Sequence, residues 1–239
     1  MFQWTPEKIR FLRDASEYTP FNRVLAQHAL KAFSGPGHVL DAGCGIGCLS
    51  LELAPFCERV TALDTSGEAL DVLRERVRNT GTGNIRILQA DVFRLPETEQ
   101  FDCAVFCFFG TVPEILPVLK KHVRSTAVLI KKNWARHRFS ASRAPMQRFS
   151  YRESCRDLEE AGIPFRTEEF RLETGQPFRS LSDARVFFAV HGRDGENTCL
   201  TDRELESRLV RTGKEPFPFV LSAVEPVGII VLDAGSVPD

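Results

Sequence analysis

Apolar residues recur along this chain with two different periods, and the way those periods alternate predicts most of the architecture. Short apolar or alternating stretches near 38–41, 59–64, 85–90, 102–108 and 126–131 have the character of strands. Helix starts punctuate the intervals. Thr65-x-x-Glu68 opens a helix ending near Thr80, and Thr111-x-x-Glu114 one ending near Val123. Ser150-x-x-Glu153 opens another ending near Gly162, and Thr201-x-x-Glu204 opens the last. Each has the form of a capping box, in which hydroxyl and carboxylate satisfy free amides of the first turn. The repeating βα unit predicts an α/β, doubly wound and mostly parallel sheet with helices on both faces.

The pattern changes at both ends. Phe165–Leu172 and Gly228–Leu232 read as further strands, with 218–225 also extended. Between them, roughly 173–224 holds two predicted helices, near 181–190 and 202–211, which is long for a hairpin connection. Such a connection serves as a lid or binding element, or as decoration. Ahead of the first strand, helices are expected over 6–14 and 20–33. In the second, Phe21, Val24, Leu25, Ala29 and Phe33 share a face suited to packing on the sheet. The expected division is a helical extension over 1–37 and a main domain over 38–239, with an inserted helical segment near 174–218.

Val39 to Leu53, VLDAGCGIGCLSLEL, carries the chemistry. A strand reaches a carboxylate, Asp41, then a turn with glycines at 43, 45 and 47, then a helix with Leu49, Leu51 and Leu53. Glycines accept positive φ and let a ligand lie against the backbone. In dinucleotide oxidoreductases the spacing is G-x-G-x-x-G and the ligand is a pyrophosphate. Here it is G-x-G-x-G, and an anion two residues before the first glycine suits a cation better. Two further strands also end in carboxylates, Asp64 and Asp91.

This ordered set closely resembles motif I and its successors in the class I S-adenosylmethionine-dependent methyltransferases. The resemblance implies a seven-stranded sheet closed by an antiparallel C-terminal hairpin, and S-adenosyl-L-methionine as methyl donor. It implies that Asp41, Gly43, Cys44, Gly45 and Gly47 meet the cofactor, that Asp64 and Thr65 lie at the ribose, and that Asp91 and the Val92 amide lie at the adenine. Relatives often cover the cofactor with an N-terminal segment, which makes Trp4, Tyr18 and Asn22 candidates for shaping the acceptor pocket; core packing is the alternative for the two aromatics.

The ligand of an open parallel sheet lies beyond the carboxyl ends of its strands, so the acceptor side should follow the fourth and fifth. After the fourth comes Cys107-Phe108-Phe109-Gly110. The Asn/Asp-Pro-Pro-aromatic motif of adenine and glutamine methyltransferases is missing there, which favours an apolar or aromatic pocket with Phe109 as a wall. After the fifth comes a basic run, Lys131 to Phe139, in which Lys131, Asn133 and Trp134 are candidates for binding a planar anionic acceptor, and His137 for a general base. The competing reading is a solvated basic loop.

Composition narrows the partners. A net charge of −1 over 239 residues shows no broad electrostatic footprint for nucleic acid. No apolar run approaches the ~20 residues of a membrane span, and the first residues lack the apolar core of a signal peptide. Seven cysteines, several inside predicted strands or the glycine turn, point to reduced thiols in a cytoplasmic protein and to small buried hydrophobes, with no metal expected. A small-molecule acceptor is the leading expectation. An RNA or protein acceptor, and a non-methylating or binding-only member of the same fold, are the alternatives.

Overall fold

In the computed structural model, which describes residues 3–35, 37–133, 150–191 and 200–238, the apolar stretches become one seven-stranded sheet. Its strands are β1 (His38–Ala42), β2 (Arg59–Asp64), β3 (Ile85–Gln89), β4 (Phe101–Cys107), β5 (Val123–Lys132), β6 (Phe165–Glu173) and, late in the chain, β10 (Val224–Asp233). The spatial order is β3-β2-β1-β4-β5-β10-β6. Strands β1 to β5 are parallel, and β10 runs antiparallel to β5. The chain therefore winds outward in one direction from β1 through β3 and in the other from β4, leaving a switch point between β1 and β4. Leu40, Ala104, Phe106, Leu129 and Ile230 fill the core around this point.

Helices fall where the capping residues place them. Glu153 and Glu204 close boxes with Ser150 and Thr201 ahead of α6 (Tyr151–Glu160) and α8 (Asp202–Arg208). Glu114 accepts from the amide and hydroxyl of Thr111 at the start of α5 (Val112–His122). The Thr65 box does not form. Ser66 has the extended backbone of an N-cap and accepts from the Ala69 amide at 3.2 Å, so α4 (Gly67–Thr80) starts one residue later than the motif suggests. Strand β5 begins at Val123 rather than 126, because that residue is already extended at the end of α5. In α2 (Phe21–Ala32) the fully buried positions are Leu25, Ala26 and Ala29, while Phe21, Val24 and Phe33 are half-buried.

The described chain forms two compact units. The larger holds 22–35, 37–133, 150–170 and 226–238; the smaller holds 3–21, 171–191 and 200–225. Helices α1 (Pro6–Tyr18) and α2 thus belong to different units. The smaller unit has its own core, in which Phe11 of α1 meets Phe187 of α7 (Leu181–His191) edge-on at 5.0 Å, with Phe178, Phe188 and Leu205 around them. Arg179 pairs with Asp14, whose side chain is only 3% exposed, and Arg10 pairs with Asp183.

The inserted segment is not purely helical. It also carries a small antiparallel sheet of β7 (Gln176–Phe178), β9 (Phe219–Leu221) and β8 (Val210–Arg211), the last replacing the predicted tail of the 202–211 helix. Gln176, at the head of this segment, is buried and donates to the Phe11 carbonyl at 3.2 Å, a structural tie within the unit.

Candidate active site

The turn after β1 is held by backbone bonds that use up its amides. Gly43 and Cys44 both donate to the Leu63 carbonyl, at 2.8 and 3.0 Å, and Gly47 donates to the Cys44 carbonyl at 3.0 Å. The Gly45 amide donates to Asp64 Oδ2 at 2.9 Å, and the Ser66 amide to Oδ1 at the same distance. Gly43, Gly45 and Gly47 have φ of 71°, 54° and 70°, the left-handed region that glycine enters freely. A Cβ on Gly47 would stand 2.2 Å from Leu73 Cδ1, and one on Gly43 would stand 2.6 Å from the Phe109 ring. The first closeness seats α3 (Cys48–Leu53) beside α4; the second brings an aromatic from the end of β4 onto the turn.

Two features that sequence reasoning missed complete the scaffold. Arg76, on α4, donates to the Ile46 carbonyl at 3.0 Å and so fixes the far side of the turn. The hydroxyl of Ser50, on α3, donates to Asp41 Oδ2 at 2.5 Å. No pattern announces either residue, since one is a polar position in an apolar helix and the other an unremarkable helix cation.

Asp41 ends up 1% exposed. Burial raises its pKa to about 6, the nearby Asp64 charge adds to the rise, and the Ser50 hydrogen bond opposes it. Asp64 is half-buried and accepts two amides, which leaves lone pairs on both oxygens for a ligand hydroxyl. Asp91 caps a short 3-10 turn by accepting from the Phe93 amide at 3.0 Å; its other oxygen lies 3.5 Å from Arg94 Nε. The Val92 side chain is buried in the main core. Thr65 is exposed, with its carbonyl accepting from Gln89.

With four turn amides bound internally, this turn presents carboxylates where a pyrophosphate site presents donors. That donor set fits a ligand bearing positive charge and hydroxyls. A methyltransferase domain model matches residues 39–128. Nodulation protein S from Bradyrhizobium diazoefficiens is 34% identical over 90 residues, covering 38% of this chain and 39% of that protein. Protein-L-isoaspartate O-methyltransferase 2 from Nitrosospira multiformis is 32% identical over 101 residues, covering 42% and 47% respectively. The chain therefore spans less than half the length of these two curated relatives. A solved structure of a SAM-dependent methyltransferase from Aquifex aeolicus superposes with a TM-score of 0.55 at 23% identity, over 69% of this chain and 92% of that one.

Residues 39–128 match the methyltransferase domain family, and the sheet has the fold of the Rossmann-like methyltransferases.

Members of that family take their methyl group from S-adenosylmethionine, and the residues present here fit it. Asp41 and Asp64 would supply negative charge for its cationic end, Asp64 has free acceptors that would suit ribose hydroxyls, and Asp91 with the Val92 amide follows the end of β3. Among the described residues no cluster of His, Cys, Asp and Glu is arranged to hold a metal, and no helix is long and apolar enough to cross a membrane. The six described cysteines are free thiols, buried or half-buried.

On the acceptor side of the site the candidates separate. The half-buried Phe109 ring stacks on Phe93 at 5.7 Å and 17°, and Phe93 is 42% exposed. Lys131 is fully buried and donates to the carbonyls of Phe109 and Gly110, so it turns inward rather than toward solvent. Its neighbour Lys132 lies over the Phe108 ring at 5.5 Å. Asn133 bonds to Glu169, and its amide donates to the Pro226 carbonyl at 3.2 Å. Trp134 and His137, with the rest of the basic run, lie outside the described residues. Trp4 is half-buried and Tyr18 packs edge-on against Phe217 at 6.0 Å, both in the smaller unit; Asn22, half-buried, stands at the start of α2 in the larger.

Proposed function

We propose that this protein transfers the methyl group of S-adenosylmethionine to a small-molecule acceptor. The observation that carries the proposal is the apolar character of the loop after β4, where Phe109, stacked on Phe93 from the turn after β3, stands against the glycine turn in place of polar groups that would grip an amide or a base edge. A net charge of −1 supports it by offering no broad attraction to a polyanion. The bound sulfonium supplies an activated methyl to an in-line nucleophile. The protein's part is then to orient the acceptor, exclude water and, for a weakly acidic nucleophile, take up a proton.

The test is to incubate the protein with methyl-labelled S-adenosylmethionine and a cell extract, then separate small solutes, RNA and protein. Label among the small solutes is expected. Label confined to RNA or protein would replace the acceptor class while keeping the reaction. Bound cofactor with no label anywhere would remove the transfer itself.

Two measurements probe individual residues. His137 is assigned as the general base, and His137→Ala should lower turnover about 100-fold while leaving cofactor affinity unchanged. Unchanged turnover on the identified acceptor would reject that role.

Asp41 makes cofactor binding pH-dependent. Its folded pKa is about 6, against a usual 3.8, so the folded protein binds more protons than the unfolded chain between those values. Stability from this group is accordingly greatest below the window and falls as pH rises through it, by an amount on the order of 3 kcal/mol. A cationic ligand reverses the preference by favouring the carboxylate. Affinity for S-adenosylmethionine should therefore rise from pH 5 to 7 with proton release, read by calorimetry in buffers of different ionisation enthalpy. Asp41→Asn should flatten the profile; a wild-type profile that is already flat would deny the carboxylate this part.

A further inference from the structure

Lys131 is the penultimate residue of β5, and it has no exposed surface. A lysine is almost never buried without a partner, since its ammonium loses hydration. Here the described partners are two backbone carbonyls: Nζ donates to Phe109 O at 2.9 Å and to Gly110 O at 2.5 Å. Both belong to the loop after β4, which is bent unusually. Phe108 has φ of 54°, the sole non-glycine residue with positive φ among those described, and Gly110 has φ of 66°. A phenylalanine in that region costs on the order of 1–2 kcal/mol, and such strain persists only where the surroundings over-determine it. The amide of Phe108 donates to the Ile130 carbonyl, fixing the start of the bend, and Lys131 fixes its next two residues. The bend delivers the Phe109 ring to Gly43.

We propose that Lys131 is a positioning residue whose buried ammonium clamps the Phe109 and Gly110 carbonyls, holding the Phe109 ring on the glycine turn and so shaping the space in which cofactor and acceptor meet. The assignment rests on the methyltransferase reading of that turn. It replaces contact with substrate by control of the wall that substrate would meet. The charged group that acts on this ammonium is Glu114 on α5, which favours the charge; Cys107 on β4 is also near, but burial raises its pKa and keeps its thiol neutral in this pH range. Burial outweighs them and lowers its pKa to about 8.

The charge is therefore lost as pH rises through about 8, and loss of the clamp can be separated from loss of the fold. Lysine in the unfolded chain keeps its proton to about 10.5, so between the two values the unfolded state holds more protons and this group's contribution to stability increases with pH. The clamp weakens over the same interval, because a neutral amine makes weaker hydrogen bonds than an ammonium. Wild-type affinity for S-adenosylmethionine should fall as pH rises through 8, without a matching fall in thermal stability.

The experiment measures binding by calorimetry for wild type, Lys131→Met, Phe109→Ala and the double variant from pH 7 to pH 9, with amide exchange at residues 108–111. Lys131→Met is expected to weaken binding about tenfold at pH 7, to lose the pH dependence near 8, and to speed exchange in the loop. Its effect should largely vanish in the Phe109→Ala background, because both changes remove one wall. Fully additive effects, or wild-type affinity in a folded Lys131→Met, would overturn the proposal. Should wild type bind no S-adenosylmethionine at all, the cofactor reading fails, and exchange still decides the clamp: faster in Lys131→Met supports it, unchanged refutes it. The wild-type pH profile stands as an independent measurement should the methionine variant not fold.

Discussion

Gly43→Val is expected to give a folded protein that has lost S-adenosylmethionine binding by on the order of 100-fold or more. Two costs coincide at this residue. Its φ of 71° is reached by an L-residue only at about 1–2 kcal/mol, more for a β-branched one. Its Cβ would also lie 2.6 Å from the Phe109 ring, which must move out over the turn. Overpacking of this kind typically costs ~1–3 kcal/mol. The displaced ring enters the region assigned to the cofactor, so binding should suffer more than folding. Calorimetry gives the first and thermal melting the second. A milder pair separates the causes: in the Phe109→Ala background, Gly43→Ala should lower affinity only by its backbone strain, because the ring it would displace is gone. A folded Gly43→Val variant binding as wild type would detach this turn from the cofactor.

Asp64→Ala should lower affinity by roughly 100-fold and also reduce stability. The carboxylate has two duties. It accepts the amides of Gly45 and Ser66, which joins the glycine turn to the head of α4, and it is assigned the ribose hydroxyls. Charge-assisted hydrogen bonds contribute ~1.5–3 kcal/mol each, and a buried amide left without an acceptor costs ~1–3 kcal/mol. Gly45 is buried, so its amide has no ready replacement in water. Asp64→Asn keeps one carbonyl oxygen and should be intermediate in both properties. If stability falls in Asp64→Ala but affinity stays within about threefold, the residue is a structural tie only.

The larger fold was legible because its signals are periodic. β1, β2, β3 and β4 are apolar or alternating runs, and the carboxylates closing three of the first strands mark the rim of the sheet without any knowledge of contacts. Serine and threonine before glutamate located three helix starts to the residue. Thr65 misled because Ser66 follows it, and only the backbone geometry shows which hydroxyl sits at the cap. The strands β7, β8 and β9 run to three residues at most, too few for a period of two to register. Lys131 was misread for a different reason. Polar neighbours at 132 and 133 make it look like the start of a solvent-facing run, yet both faces of a central strand are covered, and its partners come from a loop more than twenty residues earlier. Ser50 and Arg76 act through contacts that no spacing encodes.

The small core around Phe11 also bears on how the chain is made. Its members come from the first twenty residues and from a stretch beyond 170, and Arg179 reaches Asp14 across 165 positions of sequence. During synthesis α1 emerges well before its partners, since Phe178, Phe187 and Phe188 leave the ribosome only after every strand from β1 to β6 has passed. At ~5–20 residues per second that wait is roughly 10–35 s. The Rossmann-like half can begin to pair its strands in this interval, while the leading helix stays exposed with an unsatisfied apolar face. Substitutions that make α1 more hydrophobic should therefore depress soluble yield more than they raise the melting temperature of the finished protein, because their penalty falls on a nascent chain whose partners do not yet exist.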